Sequence, residues 1–320
     1  MSSVPAARSA AVIRFAVAAS VLFGVGVATQ SRINGELARQ LDDGYVAALI
    51  SFGSGLVILC VAMAIMPSGR RGLGVIRSQL REGRMPWWYL FGGAAGAFLV
   101  LSQGLTAALL GIALFTVAIV CGQTLSGLLI DRSGIGAAAP KPITPTRLIG
   151  SALALVAVLF VVSAQLQSDI PLWALIMPFI GGIGIGWQQA VNGQVRVISG
   201  SPLTASFINF VVGTTALLIA AVIHVSIVGL PTALPTSPVL YLGGLVGVVF
   251  IAGAAIVAPI TGVLLLGLGT IAGQLVASLL LDLFLPVASH QVTWITVLGT
   301  ALTLVAVAIA ALPSKRTTTN

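Results

Sequence analysis

Uninterrupted apolar runs of about 20 residues follow one another along almost the whole chain, and a helix needs about this length to cross roughly 30 Å of hydrocarbon. Hydrophobic residues make up 58% of the sequence and charged residues only 7%, with a mean hydropathy of +1.12. Soluble domains carry about a quarter charged residues. A transmembrane β-barrel is excluded, because barrel strands alternate apolar and polar residues over about 10 positions. The sequence therefore predicts an all-α polytopic membrane protein.

Ten apolar segments are separated by turn-forming residues such as Asp42-Asp43-Gly44 and Ser201-Pro202. The boundary near residues 107–111 has only Thr106 and Gly111 as turn signals. Arg14 and the apolar run behind it are also typical of a secretory signal peptide. We interpret this run as the first transmembrane helix, because it has a counterpart deep in the chain. The ten predicted helices span residues 15–35, 45–66, 87–107, 110–130, 148–165, 173–195, 203–228, 239–257, 260–281 and 294–312.

The basic residues predict the orientation of the chain, because Lys and Arg accumulate in the cytoplasmic loops of membrane proteins. With the N-terminus inside, only Arg32 and Arg39 of the fifteen Lys and Arg residues lie near the outer side. We therefore predict a protein of the cytoplasmic membrane with two cytoplasmic tails, residues 1–11 and 313–320. The net charge of +8 does not indicate a nucleic-acid partner, since the basic residues form no array with interleaved aromatic residues.

The two halves of the chain match each other, at polar positions as well as at glycines. The shift between halves is 158 residues in the first part of each repeat and 151 residues further on. The polar matches pair Gln30 with Gln188, Asn34 with Asn192, Gln123 with Gln274 and Asp131 with Asp282. We predict two five-helix repeats, residues 12–166 and 167–312. Because five is odd, the second repeat enters the membrane from the opposite side, which gives the inverted-topology architecture of many secondary transporters.

Several motifs resemble the YdcZ-like branch of the drug/metabolite transporter superfamily. They are GVGVATQSRINGELA, GIGIGWQQAVNGQV, GQTLSGLLIDRSG and GQLVASLLLD. Members of that branch often consist of one five-helix unit, and this chain resembles two such units fused, over residues 12–312. The second repeat departs from the first where Ala190 and Gln194 align with Arg32 and Glu36. The resemblance implies a ten-helix secondary transporter of small molecules, without a defined substrate.

The amides of the first and sixth helices form the candidate substrate site. Gln30 and Asn34 are four residues apart and share one helix face, as do Gln188 and Asn192. Amides inside a membrane need hydrogen-bond partners, so they face the bundle interior, where they suit a polar cavity between the repeats. The alternative is helix–helix adhesion, at about 0.6 kcal/mol per pair. The predicted substrate-binding residues are Gln30, Asn34, Ser51, Trp187, Gln188, Gln189, Asn192 and Asn209, with Trp187 as a stacking face.

Other polar residues have more modest expected roles. Glu36 and Arg32 have the i, i+4 spacing of a structural ion pair, and Glu36 is also the candidate for proton coupling. Gln123 and Gln274 are expected to make packing or homodimer contacts. Asp131 and Asp282 end their helices, and we expect each to cap or pair with a neighbouring helix.

An enzyme is not expected. No metal cluster, phosphate loop or cofactor motif occurs in the sequence, and Ser54 with His224 is a serine–histidine pair without a third group to orient it. Cys60 and Cys121 lie in apolar runs and have no metal-ligand spacing. The predicted function is therefore alternating-access transport of a small molecule across the bilayer, with no cofactor and with a proton or cation as a candidate coupling ion. A membrane scaffold and a passive channel are the alternatives.

Overall fold

The computed structural model describes residues 10–133, 171–285 and 293–311, together with a few positions between 145 and 157. Among these residues the chain is helical and contains no strand. A 3-10 turn (Trp87–Phe91) leads into the fourth helix, a π-helical turn (Gln103–Ala107) and the turn Ala108–Leu110 extend it, and a second 3-10 turn (Pro238–Tyr241) precedes the eighth. The helices are α1 (Ala10–Leu41), α2 (Gly44–Ile65), α3 (Pro67–Arg81), α4 (Gly92–Ser102), α5 (Ile112–Ser133), α6 (Leu172–Ser199), α7 (Pro202–Val228), α8 (Gly243–Phe284) and α9 (Trp294–Ala311).

The prediction of an all-α polytopic membrane protein is confirmed. Six helical segments in the described part of the chain are long and apolar enough to cross a membrane, and shorter apolar helices accompany them. Most of the predicted helices coincide with these segments. The predicted fifth helix, 148–165, falls largely outside the described residues.

The helix boundaries arise from capping residues at equivalent positions of the two repeats. The carboxylate of Asp43 accepts hydrogen bonds from the backbone N–H groups of Tyr45 and Val46, at 2.9 and 3.0 Å, and starts α2. The hydroxyl of Ser201, 158 residues later, accepts from the backbone N–H of Thr204 at 3.2 Å and starts α7. Such caps satisfy the orphan donors of the first helical turn.

One predicted loop is a helix. The turn signal Pro67-Ser68-Gly69 predicts a loop over residues 68–84, but these residues contain most of the amphipathic helix α3. Gly69, Gly72 and Ile76 form its buried side. A Cβ atom at Gly72 would collide with the hydroxyl of Thr204, so the glycine permits close packing against α7 rather than breaking the helix. The arginines of α3 mark one end of the bundle, which we call the arginine end; Asp42 and Asp43 mark the opposite, aspartate end.

The helical segment α8 folds back on itself, so its first and second parts run in opposite directions. The two predicted helices 239–257 and 260–281 require such a reversal. Contacts along α1 show the reversal: Gly26 faces Val246 in the first part of α8, and Gly24 faces Thr270 in the second. In a straight helix, residues 246 and 270 would lie about 36 Å apart at 1.5 Å per residue. The two parts of α8 therefore pack side by side, the first antiparallel and the second parallel to α1.

The helices α2 and α7 occupy equivalent places in the two repeats and run antiparallel along their whole length. At one end Tyr45 stacks on His224, with ring centroids 4.3 Å apart. At the other end, just past α2, the hydroxyl of Thr204 donates to the carbonyl of Gly69 in α3 at 2.9 Å. Equivalent helices that run in opposite directions are what an inverted repeat requires.

Candidate functional site

A cavity of about 40 Å³ lies where α2 and α7 cross, and we call it the axial cavity. Every residue in its lining has an equivalent residue of the other repeat in the same lining. The cavity therefore lies on the pseudo-twofold axis that relates the repeats. The lining pairs are Val27 with Ile185, Gln30 with Gln188, Phe52 with Phe210, Gly96 with Gly247, Leu99 with Phe250, Val100 with Ile251 and Gln123 with Gln274.

Glycines make room for the amides at this cavity. A Cβ atom at Gly247 would lie 2.8 Å from the amide nitrogen of Gln30, and one at Gly96 would collide with the amide nitrogen of Gln188. Each glutamine therefore crosses the bare backbone of a helix from the other repeat. Gly96 and Gly247 thus position polar side chains in addition to packing helices.

In the second repeat, three of the predicted residues form one hydrogen-bonded group. The side chain of Asn209 accepts from the amide of Gln188 at 2.8 Å and from the amide of Asn192 at 2.9 Å. Gln189 is half-buried one residue further along α6. The helices α6 and α7 are linked by this group close to the axis.

In the first repeat, the equivalent amides have different partners. Gln30 donates to the carbonyl of Gly243 at 2.8 Å, and Asn34 donates to the side chain of Gln103 at 2.6 Å. Gln103 in turn donates to the hydroxyl of Ser31 at 3.0 Å. Ser51 replaces Asn209 in this repeat, and its buried hydroxyl has no hydrogen-bond partner. The network of Ser31, Asn34 and Gln103 ties α1 to the π-helical turn.

Gln123 and Gln274 lie in the axial cavity, although the sequence suggested packing or dimer contacts for them. Their side-chain oxygens are buried and have no hydrogen-bond partner. A buried amide oxygen without a donor is unfavourable by roughly 1–3 kcal/mol. The recurrence of this glutamine in both repeats was the available sequence signal. The two oxygens are unpaired acceptors of residues that line the axial cavity.

A second cavity of about 60 Å³ extends from Gln188 toward the arginine end, and we call it the vestibule. It shares Gln188, Phe250 and Ile251 with the axial cavity. Its lining residues are Gln188, Gln189, Asn192, Gly193 and Arg196 of α6, Ala205 of α7, and Phe250, Ile251, Ala254 and Leu266 of α8. Among the described residues of the two linings, Arg196 is the only charged one.

The equivalent positions at the aspartate end are closed. Nothing lies within 4 Å of a Cβ atom built at Gly193, whereas one at Gly35 would lie 3.1 Å from the side chain of Ala107. Gln103 and Phe115 are both 0% exposed, and they occupy the positions of Ala254 and Leu266. The two repeats share one framework, but the arginine end contains the vestibule and the aspartate end is closed by side-chain packing.

The remaining predicted residues lie away from the two cavities. Trp187 is half-buried and lines neither cavity, so the aromatic faces come from Phe52, Phe210 and Phe250 instead. The carboxylate of Glu36 is bound by Arg39 at 2.6 Å rather than by Arg32, and it lines neither cavity.

Two further expectations concern carboxylates and catalysis. Asp282 caps a neighbouring helix, as expected: it accepts from the backbone N–H groups of Ile112 and Ala113 at 3.0 and 2.7 Å. The side chain of Asp131 lies outside the described residues. His224 lies 3.6 Å from Asp43 and stacks on Tyr45, which comes nine residues before Ser54 in α2. Ser54 and His224 therefore do not form a catalytic pair. The described residues contain no group of three metal-binding side chains.

Comparisons with known proteins agree with this architecture. The family described as "Putative inner membrane exporter, YdcZ" matches residues 15–160 and again residues 173–309. One crystal structure, described simply as that of a protein, is 16% identical and aligns with a TM-score of 0.55, over 95% of this chain and 97% of that chain. This likeness concerns the fold. The comparison with curated proteins finds no match.

Proposed function

The chain belongs to the YdcZ family of inner membrane exporters, and on that premise we propose that it is a secondary transporter that moves a small molecule across the cytoplasmic membrane by alternating access. The axial cavity carries the proposal. Its fourteen lining residues form seven equivalent pairs, so a solute on the axis meets similar groups from either repeat. Exchange of conformation between two inverted repeats would then open the site first to one side and later to the other.

The difference between the two ends supports this mechanism. The vestibule leads to the axial cavity at the arginine end, while Gln103 and Phe115 close the aspartate end. The distribution of Lys and Arg favours a cytoplasmic arginine end. The arrangement then corresponds to an inward-facing carrier that takes its solute from the cytoplasm, in keeping with the export described for the family.

The free acceptors favour a binding site over a scaffold. Amides that only hold helices together are expected to bond mainly to one another. Gln123 and Gln274 do not, because their buried oxygens have no donor. We propose that these two oxygens receive N–H or O–H groups of the transported solute, with Phe52 and Phe210 beside it. A passive channel would need an open path at both ends, which the packing around Gln103 opposes.

Thermal stabilisation of the purified protein tests the proposal. The panel contains small cations, amino acids, sugars, nucleosides and organic acids, each tested on the wild type and on a Gln123→Leu, Gln274→Leu double variant. A ligand at 1,000 times its dissociation constant adds about 4 kcal/mol of stability. We expect a stabilising solute that has no effect on the folded double variant, and saturable counterflow of that solute in proteoliposomes. Flux without saturation or counterflow would favour a channel, and stabilisation of both proteins alike would place the site elsewhere.

A further inference from the structure

Arg196 lies in the vestibule, although most other arginines at this end are exposed on α3. It is half-buried near the end of α6, where it shares the vestibule wall with Gln189 and Asn192. The opposite wall is apolar, and Phe250, Ile251 and Leu266 of α8 form it. The vestibule therefore combines one cation and two amides on one side with an apolar surface on the other.

Arg196 has no counter-ion among the described side chains. Glu82 binds Arg84 at 2.8 Å, Asp282 caps α5, and Glu36 is bound by Arg39. Asp42 and Asp43 belong to the aspartate end. A guanidinium in a partly desolvated cavity is unfavourable unless an anion accompanies it.

The fold itself does not require this arginine. The equivalent residue of the first repeat is Ala38, which is buried in the closed aspartate end. An arginine that appears only in the repeat with the open cavity is suited to a ligand rather than to helix packing. Arg196 is also what distinguishes the vestibule chemically from the uncharged axial cavity.

We propose that Arg196, with Gln189 and Asn192, binds the acid group of an organic anion whose apolar body lies against Phe250, Ile251 and Leu266. The guanidinium offers two parallel N–H donors that match a carboxylate. Asn192 gives one N–H to Asn209 and keeps a second for the ligand. The inference rests on the proposed function, because this anion would be the solute entering from the vestibule or a competitor of it.

Binding of benzoate, compared with its neutral isostere benzamide, tests the proposal. Calorimetry uses the full chain, stripped of lipid in a neutral maltoside detergent. We expect benzoate to bind and benzamide to bind weakly. Arg196→Ala should weaken benzoate binding about tenfold or more, since hydrogen bonds to charged groups are among the stronger ones. Arg196→Lys should recover part of the affinity, because it keeps the charge without the planar fork.

Arg77→Ala is the matched control, because it removes an exposed arginine of α3 at the same end. It should leave benzoate binding unchanged. Equal binding of benzoate to the wild type and to Arg196→Ala would overturn the proposal, and so would equal affinities for benzoate and benzamide. Normal unfolding temperatures of the variants show that a loss of binding is not a loss of folding.

An anionic lipid has the same chemistry, an acid group on an apolar body, and a second arm separates it from a soluble anion. The protein is placed in nanodiscs of phosphatidylcholine with or without phosphatidylglycerol. If phosphatidylglycerol stabilises the wild type but not Arg196→Ala, and benzoate binds neither, the residue is a lipid contact and the proposal is wrong. Benzoate that binds but is neither transported nor competes with a transported solute would leave the anion site standing and count against transport. Counterflow of another solute that is insensitive to Arg196→Ala would support transport and count against the anion site.

Discussion

Phe52 and Phe210, equivalent residues of the two repeats, contact each other across the pseudo-twofold axis with ring centroids 4.8 Å apart and an angle of 33° between their planes. Each ring also lies over a glycine of the opposite helix: Phe210 over Gly55, and Phe52 over Gly213. Both rings line the axial cavity. The crossing of α2 and α7 is therefore the place where the repeats meet, and any motion of one repeat against the other must accommodate this contact.

A side chain at the crossing should separate these helices. A Cβ atom at Gly55 would collide with the ring of Phe210, so Gly55→Ala should destabilise the protein by about 1–3 kcal/mol, as overpacking does. A second substitution, Phe210→Leu, should restore part of that loss. Gly53→Ala is the control, because nothing lies within 4 Å of a Cβ atom at that position. The measurement is thermal unfolding in detergent, and a Gly55→Ala protein as stable as the control would contradict the packing described.

Gln123 and Gln274, whose side-chain oxygens have no hydrogen-bond partner, should be dispensable for stability and required for solute binding. Gln274 is 1% exposed and its oxygen has no partner, so Gln274→Leu removes an unsatisfied polar group and should leave the unfolding temperature unchanged or raise it. Gln188→Leu should lower it, because Asn209 loses a donor. Comparison of the two unfolding temperatures gives the answer. A Gln274→Leu protein as unstable as Gln188→Leu would assign Gln274 to packing.

Gln103 should hold the aspartate end closed. Gln103→Ala removes the bonds to Asn34 and Ser31, each with a net value of about 1 kcal/mol, and should accelerate amide hydrogen exchange at residues 103–110 about fivefold or more. Gln40→Ala is the control, because it removes a surface amide bonded to Glu36 at the same end. Exchange rates are measured by mass spectrometry of peptides. Unchanged exchange in Gln103→Ala would show that the network does not close this end.

Asp282 should stabilise the start of α5 from the other repeat. Asp282→Ala leaves the backbone N–H groups of Ile112 and Ala113 without their acceptor, and caps of this kind are worth about 0.5–2 kcal/mol. The unfolding temperature should fall, whereas Asp42→Asn, at an exposed turn, should have little effect. A stable Asp282→Ala protein would indicate that water replaces the carboxylate.

The sequence predicted the parts of the fold that follow from hydropathy and local chemistry. Apolar run length gave the helices, and the turn signals Asp42-Asp43-Gly44 and Ser201-Pro202 marked the starts of α2 and α7. Matches such as Gln30 with Gln188 showed the repeat, because buried polar residues are rare in membrane helices. The helix α3 was missed because Pro67-Ser68-Gly69 suggested a turn, and the packing of Gly72 against Thr204 depends on tertiary contacts.

The site could be predicted only in part, because hydrogen-bond partners from distant segments cannot be read from spacing. Gln103 aligns with Ala254 in the second repeat, so no polar recurrence pointed to its bond with Asn34. Glu36 has basic neighbours at both i−4 (Arg32) and i+3 (Arg39), and only the structure shows that Arg39 is its partner. Nothing in the sequence showed that the same position would be open at Gly193 and packed at Gly35. The difference between Gly193 and Gly35 depends on how the two repeats are packed against each other in this conformation.

The reactivity of cysteines at Gly35 and Gly193 tests alternating access most directly. The background carries Cys60→Ala and Cys121→Ala, and an impermeant maleimide is added from either side of oriented membrane vesicles. We expect Gly193→Cys to react from the arginine side and Gly35→Cys from the aspartate side. In the double variant, a bulky maleimide already attached at Gly193→Cys should prevent reaction at Gly35→Cys, because the open vestibule excludes an open aspartate end. A Gly35→Cys that never reacts, or that reacts regardless of the label at Gly193→Cys, would contradict transport by exchange of the two repeats.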